Sequence, residues 1–380
     1  MTRIKGMDVG FTEEEQEEML DLLAATIRSG YLMWGEMQER LQAAFQELTG
    51  RRYAVTFNSN TSAQEVVFHV LRPRRVAFLG NQFPSPVFAA VRQGAEPVFV
   101  DIDPVTMAPS LEMLEAALPY DVLVFQETAG FVPMSLPEIS EWCREKRVYL
   151  LEDAAQSVGA LVSAPQKHGG AFCPAGGLGD AAVFSLSGTK PLTSGGQGGV
   201  LVTDDGQLAT AAKQLKNYGR TEMFQRGMFK MQGWNMHMTE LQAAVGLVAL
   251  EHREEHTAER QAHALLYDAV LPRSGLIPCG GRMPDVLPTW YKYPLLLPAT
   301  GLQANLRQFM EEMDIELSSG VYDVPTPRLP CFDDGGCFRE LPGTEHFCGR
   351  HVCLPCHHRM ARGDAERVAE ALLHWCQAGA

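Results

Sequence analysis

Short runs of apolar residues recur along the chain, and longer segments with helical periodicity or turn residues separate them. The runs are Ala54–Phe57, Val76–Leu79, Val98–Val100, Val122–Phe125, Val148–Leu151, Ala182–Leu186 and Val200–Thr203. Runs this short and this uniformly apolar are typical of strands buried on both faces. Their alternation with helical segments predicts an α/β fold with one mainly parallel seven-stranded sheet, in which ligands bind at the carboxyl ends of the strands.

Helical segments extend the pattern at both ends of this region. Thr12–Glu15 has the capping-box pattern and opens a predicted helix that ends at Gly30. A long helical stretch runs from Thr239 towards Leu271 and is predicted to lead from a large domain, residues 1–245, into a smaller C-terminal α+β domain, residues 246–380. The small domain is predicted to hold a strand and a last helix, Tyr291–Leu297 and Asp364–Trp375.

Lys190 has the most distinctive surroundings of any polar residue in the sequence. It follows the apolar run that ends at Leu186 and precedes the glycine-rich turn Gly195–Gly199. A lysine held against a buried strand is costly unless its ammonium is paired or converted into another group. One chemistry that uses a desolvated amine is Schiff-base formation with a carbonyl, and pyridoxal phosphate is the commonest such carbonyl in enzymes. The alternative is an ordinary solvated lysine at a strand end.

An acid stands at the end of another run. Val148–Leu151 leads into Glu152 and Asp153, and Gln156 follows shortly after. Pyridoxal phosphate acts as an electron sink while its ring nitrogen stays protonated, and a buried carboxylate such as Asp153 keeps it so. Gln156 could offer its amide to the phenolic oxygen of the ring. The alternative is that Asp153 caps a following helix.

Small polar residues follow the first run and open a helix. The segment Asn58–Ala63 leads from the predicted strand into an apolar helical stretch. Helix N-termini carry free backbone N–H groups, which suit a phosphate monoester. Ser185, which lies shortly before Lys190, could add a hydroxyl. The alternative for Asn58–Ala63 is an ordinary helix N-cap.

A phosphate cradle, an acid and a lysine follow one another in the order typical of a fold-type I pyridoxal phosphate enzyme. At this point the chain resembles the DegT/DnrJ/EryC1/StrS family of sugar aminotransferases, and the similarity covers nearly the whole length. It is carried by Gly30–Gly35 with the helix Met37–Leu48 behind it, Gly94–Asp103, Glu152–Gln156, Gly179–Lys190, Gly233–Ala244 and Cys353–His357. The resemblance implies a large domain with the mainly parallel sheet and a smaller C-terminal domain.

The resemblance also implies roles for individual residues. Lys190 would hold pyridoxal phosphate as a Schiff base and move the proton between the substrate Cα and the cofactor. Asp153 would pair with the ring nitrogen, and Gln156 would contact the phenolic oxygen. The residues implied in phosphate binding are Asn60, Thr61 and Ser185.

Two further roles are implied by the resemblance alone. Phe83 lies where the family places an aromatic side chain that stacks on the pyridine ring, and its alternative is a core phenylalanine. Asn235 matches the asparagine that crosses to the phosphate of the neighbouring subunit. The resemblance therefore implies an obligate homodimer with shared active sites.

Several positions depart from the family pattern. Ser187 stands where the lysine strand commonly has a histidine, Gln197 replaces an acid in a glycine turn that is one residue longer, and His237 replaces an arginine. Pro325–Pro327 corresponds to a Pro-Leu-His segment. These positions belong to the region where the donor carboxylate and the acceptor would lie, so they bear on the substrate. Members that dehydrate rather than transaminate carry a histidine where this chain has Lys190.

The function that the resemblance implies is transfer of an amino group from glutamate or glutamine to a keto group of a nucleotide-linked sugar or a cyclitol, as in amino-sugar, antibiotic or cell-surface glycan biosynthesis. The serine at position 187 slightly favours a cyclitol or an unusual natural-product sugar. Two alternatives remain: an enzyme that uses the cofactor to dehydrate a sugar or cyclitol, and a non-catalytic sensor that retains the fold.

Composition narrows the possible partners. The 380 residues carry a formal net charge of −14, which disfavours nucleic acid and anionic membranes as partners. No apolar stretch approaches the length of a membrane span, and the N-terminus lacks the pattern of a secretion signal. We therefore expect a cytoplasmic enzyme that acts on small molecules.

The cysteines raise one further possibility, a structural zinc site. Five of the nine cysteines fall between Cys331 and Cys356, and Cys353 and Cys356 have the spacing of a zinc half-site. No second half-site with clean spacing appears in the sequence, and an odd number of cysteines in a cytosolic protein indicates reduced thiols. Packed or surface thiols are therefore the favoured interpretation, with no metal, and zinc is the alternative.

Overall fold

The computed structural model describes residues 3–164, 172–221, 228–282, 284–332 and 340–378. Its helices are α1 (Glu13–Ser29), α2 (Glu36–Thr49), α3 (Asn60–Leu71), α4 (Ser85–Arg92), α5 (Leu111–Ala116), α6 (Leu136–Lys146), α7 (Gly206–Leu215), α8 (Glu240–Glu251), α9 (Arg253–Val270), α10 (Leu302–Glu312), α11 (Pro342–Arg350) and α12 (Arg362–Gln377). Its strands are β1 (Tyr53–Phe57), β2 (Arg75–Leu79), β3 (Glu96–Val100), β4 (Val122–Gln126), β5 (Tyr149–Asp153), β6 (Leu161–Ser163), β7 (Phe172–Pro174), β8 (Ala181–Ser185), β9 (Gly199–Thr203), β10 (Ile277–Pro278), β11 (Val286–Leu287), β12 (Tyr293–Leu296) and β13 (His351–Leu354).

The main sheet has seven strands in the order β1-β9-β8-β5-β4-β2-β3. Strand β9 runs antiparallel to both of its neighbours, and the other adjacent pairs are parallel. The predicted α/β fold with a mainly parallel seven-stranded sheet is therefore confirmed, and each predicted run corresponds to one strand. Because only β9 is reversed, the carboxyl ends of the other strands lie at one edge of the sheet.

The sheet is buried on both faces, which accounts for the uniformly apolar strands. Successive residues of one strand, such as Val183 and Phe184, belong to separate clusters of buried side chains. Phe45 of α2 packs in the cluster of Phe184, and Phe68 of α3 packs in that of Val183. Full burial of one such phenylalanine contributes about 1.5–3 kcal/mol, so helices on both sides hold the sheet rigidly behind its carboxyl edge.

Gly199 brings the start of α3 against the sheet. It is the first residue of β9, and a Cβ at this position would lie 2.5 Å from the backbone nitrogen of Asn60. A contact that short forces the backbone to move, so only glycine allows this approach. The segment predicted to bind phosphate therefore lies directly on the reactive edge of the sheet.

Helix α1 has the ends that the sequence predicts, whereas the long helical stretch predicted after Thr239 is divided in the structure. Thr12 and Glu15 form the predicted capping box of α1, and Gly30 ends it with φ +74°. The long stretch after Thr239 is two helices, α8 and α9, which meet at His252. None of the helices in the described part of the chain has the length and apolar character that a membrane span requires.

A second, three-stranded sheet follows α9. Its strands lie in the order β10-β12-β13 and are antiparallel, and the chain ends in α12. The strand and last helix predicted for the small domain are both present. The predicted boundary between residues 245 and 246 falls inside α8, and the division into domains 1–245 and 246–380 stays a prediction.

Candidate active site

Asp153 ends β5 and lies among the side chains that gather at the carboxyl edge. It is 2% exposed, and its Oδ1 accepts hydrogen bonds from Asn60 Nδ2 at 3.2 Å and from the backbone nitrogen of Ala155 at 3.3 Å. Burial raises the pKa of this carboxyl, whereas the ammonium of Lys190 and the amide of Asn60 lower it. Turns follow Asp153, so the helix-cap alternative is wrong. A buried carboxylate beside a cation suits the N–H of a pyridinium ring.

The side chain of Asn60 is held by the neighbouring strands. Its Nδ2 donates to Asp153 and also to the carbonyl of Val183 at 3.2 Å, and its Oδ1 accepts from Gln64 Nε2 at 2.8 Å. These bonds orient the carboxyl of Asp153. They use the side-chain amide, so a phosphate contact by Asn60 is left to its backbone N–H.

The N-terminus of α3 retains free backbone donors. Ser59 is its N-cap and accepts a hydrogen bond from the backbone nitrogen of Ser62 at 3.1 Å, as the N-cap alternative expects. Within the described ranges, however, no acceptor pairs with the backbone amides of Asn60 and Thr61. Ser185, 6% exposed, ends the nearby strand β8. Free amides at a helix N-terminus are well suited to a phosphate group.

Lys190 lies in the turn after β8, and its side chain is largely withdrawn from solvent. Its Nζ is 5.1 Å from the ring centroid of Tyr291, and this nitrogen makes no hydrogen bond or ion pair with any residue that the structure describes. Burial lowers the pKa of this amine, the charge of Asp153 opposes that effect and the charge of Lys292 adds to it, and the resulting pKa is about 8. A fully solvated lysine is therefore excluded, and near pH 8 about half of the amine is neutral and nucleophilic.

Gln156 has a defined orientation. Its Oε1 accepts the backbone N–H of Ala129 at 2.7 Å, so its Nε2 points the other way and donates to Tyr322 Oη at 2.7 Å. An amide nitrogen carries two hydrogens, so one remains for a ligand. This geometry suits the predicted contact with a phenolic oxygen.

Phe83 is 53% exposed, so the core alternative is wrong. Its backbone nitrogen donates to Gln126 Oε1 at 3.0 Å, and its ring centroid lies 6.1 Å from that of Tyr322. It therefore belongs to the carboxyl edge, in contact with the group around Gln156. A stacking role for Phe83 remains a prediction.

Asn235 lies beside the segment Asn58–Ala63, because the carbonyl of its neighbour Met236 accepts the backbone N–H of Asn58 at 3.0 Å. The side chain of Asn235 is exposed, and its backbone bridges to Asn217. Two residues on, His237 is buried: its Nδ1 accepts from Trp34 Nε1 at 3.2 Å, which places its own proton on Nε2, 3.2 Å from Asn217 Oδ1. Burial lowers the pKa of His237 to about 4. The position that departs from the family arginine thus carries no positive charge at neutral pH.

Sequence reasoning missed three residues of the site, Gln126, Tyr291 and Tyr322. Gln126 directly follows the predicted run Val122–Phe125, and the strand-end argument that identified Asp153 applies equally to it. The two tyrosines come from the second half of the chain, and no local pattern distinguishes them from other half-buried tyrosines.

The zinc alternative finds no support in the described residues. They contain no group of three His, Cys, Asp or Glu side chains arranged to hold a metal ion. Cys348, Cys353 and Cys356 are buried free thiols, and burial raises the pKa of each, to about 12, 11 and 12. Zinc binds the thiolate, so these environments oppose it. Cys337 lies outside the described residues.

The residues at the carboxyl edge fit pyridoxal phosphate. Asp153 would hold the ring nitrogen, Gln156 the phenolic oxygen and Lys190 the aldehyde carbon. The free amides at the start of α3 would hold the phosphate. Each group of the cofactor would thus meet a donor, acceptor or nucleophile of the required kind.

Several known proteins resemble this chain along most of its length. The chain is 28% identical over 378 residues to a dTDP-4-dehydro-2,3,6-trideoxy-D-glucose 4-aminotransferase of Saccharopolyspora spinosa, covering 93% of this chain and 92% of the relative. It is 25% identical over 374 residues to a pleiotropic regulatory protein of Geobacillus stearothermophilus, covering 95% of each. The crystal structure of S. venezuelae DesV matches with a TM-score of 0.89 and 25% identity over 99% of both chains.

These similarities confirm the predicted fold-type I architecture and the predicted class, a pyridoxal-phosphate-dependent aminotransferase. Residues 13–373 match the model of one family, the DegT/DnrJ/EryC1/StrS aminotransferases, along nearly the whole chain. The chain therefore belongs to the DegT/DnrJ/EryC1/StrS aminotransferase family.

Proposed function

We propose that this protein transfers an amino group from glutamate or glutamine to a keto group of a nucleotide-linked sugar or of a cyclitol, with pyridoxal phosphate attached to Lys190. The observation that carries the proposal is the withdrawn amine of Lys190, near enough to Asp153 for each charge to shift the pKa of the other. Relatives named as sugar aminotransferases support the sugar acceptor. The cytoplasm is the proposed location.

Asp153 and Lys190 have different roles in the proposed reaction. When bound, pyridoxal phosphate supplies an electron sink for negative charge at the substrate Cα. Asp153, oriented by Asn60, keeps a proton on the ring nitrogen. Lys190 would hold the aldehyde carbon of the cofactor, and its amine, when free, would move the proton at the substrate Cα, since its lowered pKa suits an acid–base group near neutral pH.

The proposal is tested by following both halves of the reaction with ¹⁵N-labelled glutamate and glutamine. We expect the loaded enzyme to release the 2-oxo acid and then to pass the label to one or more members of a panel of nucleotide-linked keto sugars and keto cyclitols, detected by mass spectrometry. A deoxygenated product without label would support the dehydratase alternative instead. No 2-oxo acid from either donor would contradict the proposal.

We also propose a homodimer in which Asn235 contributes to the partner's active site. Asn235 is exposed, as a residue that acts across an interface would be in one chain. Large side chains near it in the sequence are exposed as well: Tyr218 by 44%, Phe229 by 52% and Met231 by 37%. Exposed apolar side chains grouped in this way are typical of surfaces that another protein covers.

Mixing two inactive variants tests the shared site. We expect Lys190→Ala and Asn235→Ala proteins each to be impaired alone and to regain activity when unfolded and refolded together. About half of the refolded dimers contain one chain of each variant, and one of the two sites in each of these dimers is intact. Roughly a quarter of wild-type activity is therefore expected for C2 dimers. The control is the same procedure with Lys190→Ala and the double variant, which leaves no intact site. A lack of recovery, or a monomer by light scattering, would contradict the shared site.

A further inference from the structure

Tyr322 reaches the active site from the second half of the chain. It lies between α10 and α11, and its backbone has φ +74°, a left-handed conformation that a bulky residue seldom adopts. Such a conformation persists only where surrounding contacts hold it, and it is concentrated at functional sites. The contacts on both sides of Tyr322 therefore indicate what it does.

The segment that carries Tyr322 is held by two buried side chains. Lys292, 4% exposed, donates through Nζ to the carbonyl and hydroxyl oxygens of Ser319 at 2.5 and 2.7 Å, and to the carbonyl of Gly320 at 3.1 Å. His351 Nε2 accepts the backbone N–H of Val321 at 2.8 Å. These bonds place the backbone of residues 319–321 and aim the next side chain into the site.

The hydroxyl of Tyr322 joins two residues of the carboxyl edge. It accepts a hydrogen bond from Gln156 Nε2 at 2.7 Å and lies 3.3 Å from Gln126 Oε1, to which it donates. Gln126 Oε1 also accepts the backbone N–H of Phe83. A continuous chain of hydrogen bonds thus runs from Phe83 through Gln126 and Tyr322 to Gln156 and on to Ala129.

We propose that Tyr322 is a positioning residue: its hydroxyl holds Gln156 so that the second Nε2 hydrogen points at the phenolic oxygen of the cofactor. The inference rests on the proposed function, because it presumes that pyridoxal phosphate occupies this edge. The side-chain amide of Gln156 is hydrogen-bonded at both ends, at Oε1 by the backbone N–H of Ala129 and at Nε2 by the hydroxyl of Tyr322. These bonds fix the direction of the second Nε2 hydrogen, which remains free. The segment held by Lys292 and His351 thereby acts on the cofactor without touching the reacting carbon.

Tyr322→Phe removes only the hydroxyl. A hydrogen bond to a phenolate oxygen stabilises its negative charge, so misdirecting Gln156 favours the protonated chromophore. In the loaded protein we expect the pH midpoint of the visible absorbance band to rise by about 0.3–1 unit. We expect the dissociation constant for pyridoxal phosphate to rise roughly two- to tenfold, the effect of one lost hydrogen bond.

Tyr120→Phe is the matched control, because Tyr120 is also buried and donates one hydrogen bond, to the carbonyl of Leu114 at 3.2 Å, away from the site. It should leave both quantities unchanged. The same change in a Gln156→Ala background provides the second test: the effect of Tyr322→Phe should disappear there. If the shift persists without Gln156, the proposed route is wrong.

The two proposals fail in different ways. A wild-type protein that takes up no pyridoxal phosphate overturns the proposed function and the role of Tyr322 with it. A wild-type protein with a normal visible band, whose midpoint and affinity are unchanged in Tyr322→Phe, overturns only the positioning role.

Discussion

Lys190→Ala should remain folded, stay colourless after incubation with pyridoxal phosphate, and lose transamination by roughly a thousandfold or more, because both the covalent link and the proton carrier disappear. The visible absorbance spectrum and the release of 2-oxo acid measure the two losses. Lys190 is the amine that lies near Asp153 at the carboxyl edge, and its pKa of about 8 leaves it partly neutral.

Lys216 provides a control for this experiment. It is also a buried lysine, and burial lowers its pKa to about 7, but its Nζ donates to the carbonyl and hydroxyl oxygens of Thr56 at 2.7 and 3.3 Å. Lys216→Met should lower stability and keep the visible band. If Lys190→Ala retains the band and Lys216→Met loses it, the assignment of the cofactor lysine is wrong.

Glu152→Gln should lower the free energy of unfolding by about 3–5 kcal/mol, the usual cost of breaking a buried charged network. Glu152 is fully buried and accepts the backbone N–H groups of Gly176, Leu178 and Gly179, with Arg51 3.8 Å away. A neutral amide would face these donors with its own N–H groups. Urea unfolding monitored by fluorescence measures the loss.

Glu127→Gln is the matched change, and we expect it to cost much less. Glu127 is also fully buried, and Ser157 Oγ donates to its Oε2. Burial raises the pKa of Glu127 well above its ordinary value, and the charge of Glu152 raises it further. A carboxyl that stays protonated in the fold is well replaced by glutamine.

The contribution of Glu127 to the free energy of unfolding depends on pH in a predictable direction. Because the pKa of Glu127 is raised in the folded protein, its contribution to stability is complete below its unfolded pKa, about 4.5, and is lost as the pH rises towards the folded value. Glu127→Gln removes that loss, so the variant should gain stability relative to wild type as the pH rises from about 4.5 towards the raised pKa of the folded protein. Equal damage from Glu127→Gln and Glu152→Gln at every pH would show that Glu127 is ionised.

The sheet was predictable because each of its strands has a recognisable local sequence. Each strand is buried on both faces and is therefore apolar throughout, so runs such as Val122–Phe125 mark strands without any knowledge of their neighbours. The break between α8 and α9 at His252 was not predicted. His252 and its neighbours are polar, and a charged surface helix and a charged helix junction have similar sequences.

The sequence by itself indicated the chemistry of the site: a lysine, an acid and a polar helix start, each at or shortly after the end of a buried strand, so that one mainly parallel sheet brings Lys190, Asp153 and Asn60 to the same edge. Only the tertiary structure decided how the side chains around these groups are oriented and which of them are charged. The orientation of Gln156 depends on Ala129 and Tyr322, and the uncharged state of His237 depends on burial against Trp34. Contacts between residues so far apart in the chain leave no periodicity or spacing in the sequence, because the close packing of the whole fold, and no local rule, brings them together.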